Sequence, residues 1–575
     1  MPSTTEQPTP DKGPKKRIIL CCDGTWFDSD DGFNKATSKN GATVQVASNV
    51  THISRCFKRR CSDGTLQIIN YESGVGTGSN TIDTLTGGAF GLGLTQRVRE
   101  AYAFLCANYA DGDEIILLGW SRGAFTVRSV AGIIGKLGLL TREGMDSFVP
   151  VFKDMQHWKD AAYNDPFPKT PFQDKPKGDD AADIYRQRLE KMGLTRVNQA
   201  SGDLIKVKAI GVWDTVGSLG IPRIGWLDAL DARLTFSTFK WHDTDLSDRI
   251  EHAFQALALD ESRSPYTPAV WERRPENRLT TDLRQVWFPG THGNCGGGVE
   301  DVGMANITLT WMMDQMASVG VEFFAPSVLR MISQQRQQYE IKAEQVAART
   351  RKAPPQWAVG TIFDANAPVR PWSMGALQKA PSAIDWITGK TARTPGQYRR
   401  IDPVTGDSRH GPFLLDTNER IHSSARVRLA CRGLGINDDG DWTAPTLAAW
   451  RLRRTTTRFA DPVPRDPLWD PANHEKVPAA AATAAEEWGR KPNEEEGERW
   501  IWEYAGPEEQ APTEKRQRVL VEEPLGPYER FLLNQVGGTP NVYVFAEGGD
   551  MCDRASRNEG REQDSETETD MPAAK

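Results

Sequence analysis

Gly119-Trp120-Ser121-Arg122-Gly123 places a serine between two glycines, and such a serine can do nucleophilic chemistry only if the chain turns sharply around it. A serine hydroxyl is a weak nucleophile and needs a positioned base, which in turn needs an orienting acid. The chain has 8 histidines. His292 stands just after an apolar run, in the glycine-rich Gly290-Thr291-His292-Gly293, which reads as a flexible loop able to reach a sheet rim. Asp214 closes another apolar run. The three together would perform acyl transfer: attack by Ser121 on an ester carbonyl, proton transfer through His292, and orientation of the imidazole by Asp214. Structural alternatives are an ordinary strand-to-helix turn capped by the serine, a loop histidine bonded to backbone, and a turn-capping aspartate. Asp260 and Asp301 are reserve acids, and His252 and His422 reserve bases.

The elements that must position these residues are legible. Glu114 to Leu118 is a continuous apolar run of the kind buried on both faces of a parallel sheet, and Ala124 to Lys136 has helical periodicity. Strand, tight corner and helix therefore follow in the order that a nucleophile elbow requires. The helix beginning at Arg122 directs backbone N–H groups toward a developing oxyanion, so the Arg122 N–H is one candidate donor. The second comes from the turn after the first strand, at Gly24 or Thr25.

Further strands are expected at Ile18–Cys22, Leu66–Tyr71, Leu204–Val212 and Leu283–Phe288, with helices over Leu94–Tyr109 and Met304–Val319. Strands alternating with helices predict an α/β fold, a doubly wound and mostly parallel sheet of α/β-hydrolase type, with helical cap insertions and a less regular C-terminal region. The order Ser121, Asp214, His292 is the one such hydrolases use. The expected organisation is a disordered N-terminus (1–15), a catalytic domain (16–325) with cap insertions at about 141–203 and 221–280, a C-terminal cap or accessory region (326–550) and a disordered acidic tail (551–575). The Trp- and Phe-rich segment Phe236 to Trp241, with Trp271, is a candidate acyl pocket or a core cluster.

Taken together, Cys22-Asp23-Gly24-Thr25-Trp26, Gly119 to Ala124, Gly211 to Gly217, His252 to Arg263, and Phe288 to His292 with Gly296-Gly297-Gly298 resemble the catalytic domain of type VI secretion phospholipase effectors, a family with uncharacterised fungal members. The resemblance runs from about Lys16 to Gly320. It implies a serine ester hydrolase acting on lipids, with Ser121, Asp214 and His292 as the triad. No cofactor and no metal is expected, and a lipid substrate would bring peripheral contact with a membrane surface. At the position of Asn294 the family commonly carries an acidic residue.

Composition excludes other classes. With 18 Trp, 21 Phe and a net charge of −7, the chain has the apolar content of a globular enzyme and no basic stripe for nucleic acid. A haloacid-dehalogenase phosphatase would need an aspartate where Cys21 stands, and a phosphate loop ending at Gly389-Lys390-Thr391 would need glycine at Ile384. The 8 cysteines lack CxxC spacing and read as small buried residues of a reducing compartment. Met1 to Arg17 lacks the apolar core of a signal peptide and no apolar run of spanning length follows, so the expected location is cytoplasmic. The rival function is a hydrolase-fold protein that binds or assembles without catalysing.

Overall fold

The computed structural model describes residues 15–24, 33–34, 43–44, 46–74, 87–158, 160, 162–198, 201–216, 246–278, 280–299, 301–333, 372–378, 390–400, 411–455, 499–512 and 518–535. Among the described residues, ten strands form one sheet: β1 (Lys16–Cys22), β2 (Leu66–Glu72), β3 (Glu114–Trp120), β4 (Val207–Trp213), β5 (Ile250–Ala258), β6 (Asp282–Phe288), β7 (Glu419–His422), β8 (Trp450–Thr455), β9 (Arg499–Tyr504) and β10 (Val519–Glu523). Their order across the sheet is β8-β9-β10-β7-β6-β5-β4-β3-β1-β2. From β2 through β10 every pairing is parallel, and β9 and β8 are added by antiparallel pairing.

Both faces of the sheet are covered, which is why its central strands are apolar throughout rather than alternating. Ile18, Leu20, Ile115 and Leu117 point into one core with Val98, Tyr102, Leu105, Val127 and Ile134. These partners lie on helices α2 (Gly87–Asn108) and α3 (Arg122–Leu137). Their neighbours Ile19, Cys21, Ile116 and Leu118 point into the other core, built on α1 (Asn49–Ser54) and a later helix, Gly303–Ser318. The fold is α/β with a large, mostly parallel central sheet and interleaved helices.

The stretch read as a first cap insertion forms α4 (Arg142–Asp146), α5 (Phe148–His157) and α6 (Ala181–Lys191). Phe148, Val151, Tyr185 and Leu189 bury into the core of α2 and α3, so this stretch extends that helical layer. Within the span read as a second insertion, Ile250–Ala258 is a central strand, β5. Its Glu251, His252 and Gln255 hide the apolar run expected of a buried strand, and Gln255 is buried because its amide is bonded to Arg128 and to the Ala269 carbonyl.

The C-terminal part of the chain joins the same sheet through β7 to β10. Two further helices, α9 (Ser423–Ala430) and α10 (Pro527–Gln535), pack there, after α7 (His292–Gly296) and α8 (Gly303–Ser318). Tyr528, Phe531 and Leu533 share the core of α8. Residues 325–333 are helical; of the segments expected to be disordered, 1–14 and 551–575 lie outside the described residues. Among the described residues, all seven cysteines are buried and none is in a disulfide, and no helix is long and apolar enough to cross a membrane.

Candidate active site

Parallel strands bring their carboxyl ends to one rim, and the register shows which residues meet there. Trp120 pairs with Trp213, Trp213 with Ala256, Ala256 with Val286, and Ala258 with Phe288. Ser121 and Asp214 are therefore the first residues beyond β3 and β4, and His292 follows β6 by four positions. All three belong to one edge of the sheet, where α/β proteins place their chemistry.

Ser121 has φ 57° and ψ −116°, a conformation a non-glycine residue adopts only when its surroundings force it. The forcing contacts are backbone. A Cβ on Gly123 would lie 2.1 Å from the Cys22 carbonyl oxygen, and one on Gly119 would lie 2.6 Å from that of Gly123. Only glycine lets β1, β3 and α3 converge this closely. Ser121 occupies the N-cap position of α3, yet its hydroxyl makes no capping bond to the helix. Its N–H donates to the Trp213 carbonyl at 3.1 Å, which ties the corner to β4. The α3 N-terminus directs the N–H groups after Ser121 toward the same rim. Burial pushes the Arg122 guanidinium down to about 10.

Asp214 also has positive φ, 41°, and is tied to β5 by its N–H to the Ala256 carbonyl at 2.7 Å. Its carboxylate is fully buried and takes up four donors. His292 Nδ1 lies 2.6 Å from Oδ2, the Ala258 N–H donates to Oδ1 at 3.1 Å, and Arg393 donates to both oxygens, Nη1 to Oδ1 at 2.5 Å and Nη2 to Oδ2 at 2.9 Å. Burial would raise this carboxyl, but Arg393 and then His292 hold it well below the ordinary carboxylate range. Asp214 is 0% exposed while Ser121 and His292 keep 7% and 6%, so the acid is sealed and the other two remain within reach of the surface.

His292 is the first residue of α7 rather than part of an open loop. The turn is made rigid by Asn294, whose Oδ1 accepts from the Thr291 N–H and hydroxyl and from the Gln378 N–H, while Nδ2 donates to the Ala376 carbonyl. Gly290, with φ 114°, turns the chain into it. The imidazole packs between Trp120, at 5.4 Å between ring centroids, and the edge of Tyr266, at 4.8 Å. The first of these contacts is with the residue that immediately precedes Ser121. The His292 N–H donates to Glu261 Oε2 at 3.2 Å. Burial would raise the Glu261 carboxyl, but its bidentate pair with Arg263 holds it low.

The first-strand turn is organised by Asp23. Its Oδ2 accepts from the hydroxyls of Ser48 (2.6 Å), Thr51 (2.8 Å) and Tyr71 (2.8 Å), and its Oδ1 from the Gly24 N–H at 2.7 Å. Burial raises this carboxyl and the four donors oppose the rise. The Gly24 N–H is thus already bonded, and Thr25 lies outside the described residues. Of the acyl-pocket candidates, Phe236 to Trp241 also lie outside them, and Trp271 is a core residue with the Arg128 guanidinium 4.1 Å over its ring.

The reserve residues are engaged elsewhere. Asp260 accepts from the Gly290 N–H and Trp442 Nε1, and Asp301 from the N–H groups of Gly303 and Ala376. His252 lies 3.5 Å from Asp282, and His422 is bonded to Ser424 and Glu529. Among the described residues, no three His, Cys, Asp or Glu side chains are grouped to hold a metal ion. A cavity of about 280 Å3 opens beside the Asp214–His292 pair, lined by Glu261, Arg263, Tyr266, Thr391, Arg393 and Tyr398 among others.

Sequence reasoning missed Arg393, Glu261, Tyr266 and the role of Trp120. Only Trp120 and Glu261 carried a local signal, since both lie inside motifs already singled out. The uncharacterized protein YEL023C of Saccharomyces cerevisiae is 24% identical over 295 residues, which are 47% of this chain and 36% of that protein. A crystal structure of an uncharacterized protein from Pseudomonas aeruginosa matches with a TM-score of 0.27 and 15% identity, over 53% of this chain and 46% of that one. The chain thus spans about a third of the curated relative and under half of the solved one. The model of the family described as "T6SS, Phospholipase effector Tle1-like, catalytic domain" matches residues 16–315, just over half of the chain, and the chain belongs to that family.

Proposed function

We propose that this chain is a serine ester hydrolase that cleaves carboxylic esters of lipids by two-step acyl transfer. The observation that carries the reading is the 2.6 Å contact between His292 Nδ1 and Asp214 Oδ2 at the rim that holds the strained Ser121. With Nδ1–H donated to the carboxylate, the neutral imidazole has Nε2 as its proton acceptor. In the first step Nε2 takes the Ser121 proton as Oγ attacks the ester carbonyl. Asp214 holds the tautomer and stabilises the imidazolium. The imidazolium then returns its proton to the leaving alcohol, and water, activated by the same nitrogen, releases the acid and frees Ser121.

The oxyanion is stabilised by the Arg122 N–H at the start of α3 and by an N–H of the first-strand turn. Since the Gly24 N–H is held by Asp23, Thr25 is the better candidate for the second donor. Membership of a phospholipase-effector family supports a lipid ester as substrate, reached by peripheral contact with a lipid surface.

A fluorophosphonate probe tests the reading directly. Wild-type protein is expected to label stoichiometrically, and Ser121→Ala not at all. A folded wild-type chain that never labels would instead favour the non-catalytic hydrolase fold. Hydrolysis assays over phospholipids, acylglycerols and short acyl esters then assign the substrate.

A further inference from the structure

We infer that Arg393 is a positioning residue of this active site, one that lies outside the segment the family model covers and that sets both the geometry of Asp214 and the pH range of the reaction. The inference rests on the serine-hydrolase reading above. Arg393 is buried, and its two terminal nitrogens make four bonds: one to each carboxylate oxygen of Asp214, one to the Ala258 carbonyl at 2.7 Å and one to the Tyr266 carbonyl at 2.8 Å. The guanidinium therefore touches the acid, the end of β5 and the residue whose ring packs against the base.

The fork geometry matters because two parallel bonds fix the plane of a carboxylate, which a single point charge does not. Oδ2 is then presented to His292 Nδ1 in one orientation. The segment carrying Arg393 is itself anchored. The Thr391 N–H donates to the Ser262 carbonyl at 2.9 Å, its hydroxyl to Ser264 Oγ at 3.1 Å, and the Gly396 N–H to Glu419 Oε1 at 2.8 Å. Arg393 is thus held between the site and β7 before any substrate arrives, as preorganisation requires.

Charge adds a second consequence. The groups facing His292 are Asp214, Glu261 with its partner Arg263, the Tyr266 ring and, through Asp214, Arg393. With Arg393 present, the imidazolium forms beside a carboxylate whose charge is already compensated. Without it, that carboxylate faces the imidazolium alone, and the acid limb of the rate profile moves to higher pH.

The test compares full-length wild type, Arg393→Lys and Arg393→Met by the rate of fluorophosphonate labelling across pH, with folding checked by tryptophan fluorescence. Arg393→Met is expected to lower the plateau rate roughly a hundredfold, by loss of the near-attack arrangement, and to shift the acid limb upward. Arg393→Lys keeps the charge and loses the fork, so it should lower the plateau roughly tenfold and leave the limb in place. If Arg393→Met does not fold, Arg393→Lys decides by the same two readouts. Folded variants with the wild-type rate and limb overturn this inference alone. A wild-type chain that never labels overturns it together with the reading beneath it.

Discussion

The backbone of β1 runs directly beneath the elbow: the Cys22 carbonyl oxygen lies 2.1 Å from the point where a side chain at Gly123 would begin. No rotamer change relieves such a contact, because both partners are main chain. Gly123→Ala is therefore expected to cost about 1–3 kcal/mol or more and to displace Ser121. Urea denaturation together with labelling of the surviving folded fraction checks both effects. Wild-type stability and labelling would show that β1 and α3 are further apart than described.

Ser121→Ala and His292→Ala should each lower ester hydrolysis by roughly four or more orders of magnitude, as expected where nucleophile and base act as one unit. The double variant should be scarcely slower than either single one. Additive losses would mean that the two side chains do not share a step.

Asp214→Asn separates stability from tautomer control. It leaves the buried Arg393 without its counter-charge, which is expected to cost about 3–5 kcal/mol, and lowers turnover roughly ten-thousand-fold by favouring the wrong tautomer. Chemical denaturation and steady-state kinetics report the two losses independently. Full activity would move the role of acid to Asp260 or Asp301.

Asn294 is the amide that makes a rigid turn of the histidine segment. Asp at this position keeps the acceptors but cannot donate to the Ala376 carbonyl, 2.9 Å away, so Asn294→Asp should cost about 1–3 kcal/mol at neutral pH. Thermal melting measures it. An unchanged melting temperature would mean that solvent satisfies that carbonyl.

His422 predicts an acid sensitivity away from the site. Its Nδ1 accepts from the Ser424 N–H at 3.2 Å, which an imidazolium cannot do, so Nε2–H donates to Glu529. Burial pushes its pKa down to about 3. A histidine depressed in the fold binds its proton more readily when unfolded, so its contribution to stability is fully present above about pH 6.5 and is lost as pH falls toward 3. His422→Gln should flatten the stability–pH curve over that window in urea titrations. An unchanged slope would remove His422 as its source.

Much of this was legible in the residues. Glu114 to Leu118 and Leu283 to Phe288 announce themselves as strands because a parallel strand covered on both faces must be apolar along its length. The glycines around Ser121 announce the corner because nothing larger fits. By contrast, β5 carries Glu251, His252 and Gln255, and β7 is the short, polar Glu419-Arg420-Ile421-His422. Their polar groups are satisfied by distant partners, such as Glu523 for Arg420 and Glu529 for His422, so their burial left no local apolar pattern to read.

What the amino-acid order determined alone was the corner at Ser121, the apolar strands that carry Asp214 and His292 to one rim, and the family signature that follows from both. Tertiary structure decided the rest: that Glu419 to Glu523 extends the same sheet, and that Arg393 grips Asp214 from 179 positions away. The reason is physical. Burial of a strand follows from periodic apolar character within a few residues, whereas an ion pair depends on two charges that only the finished packing brings together.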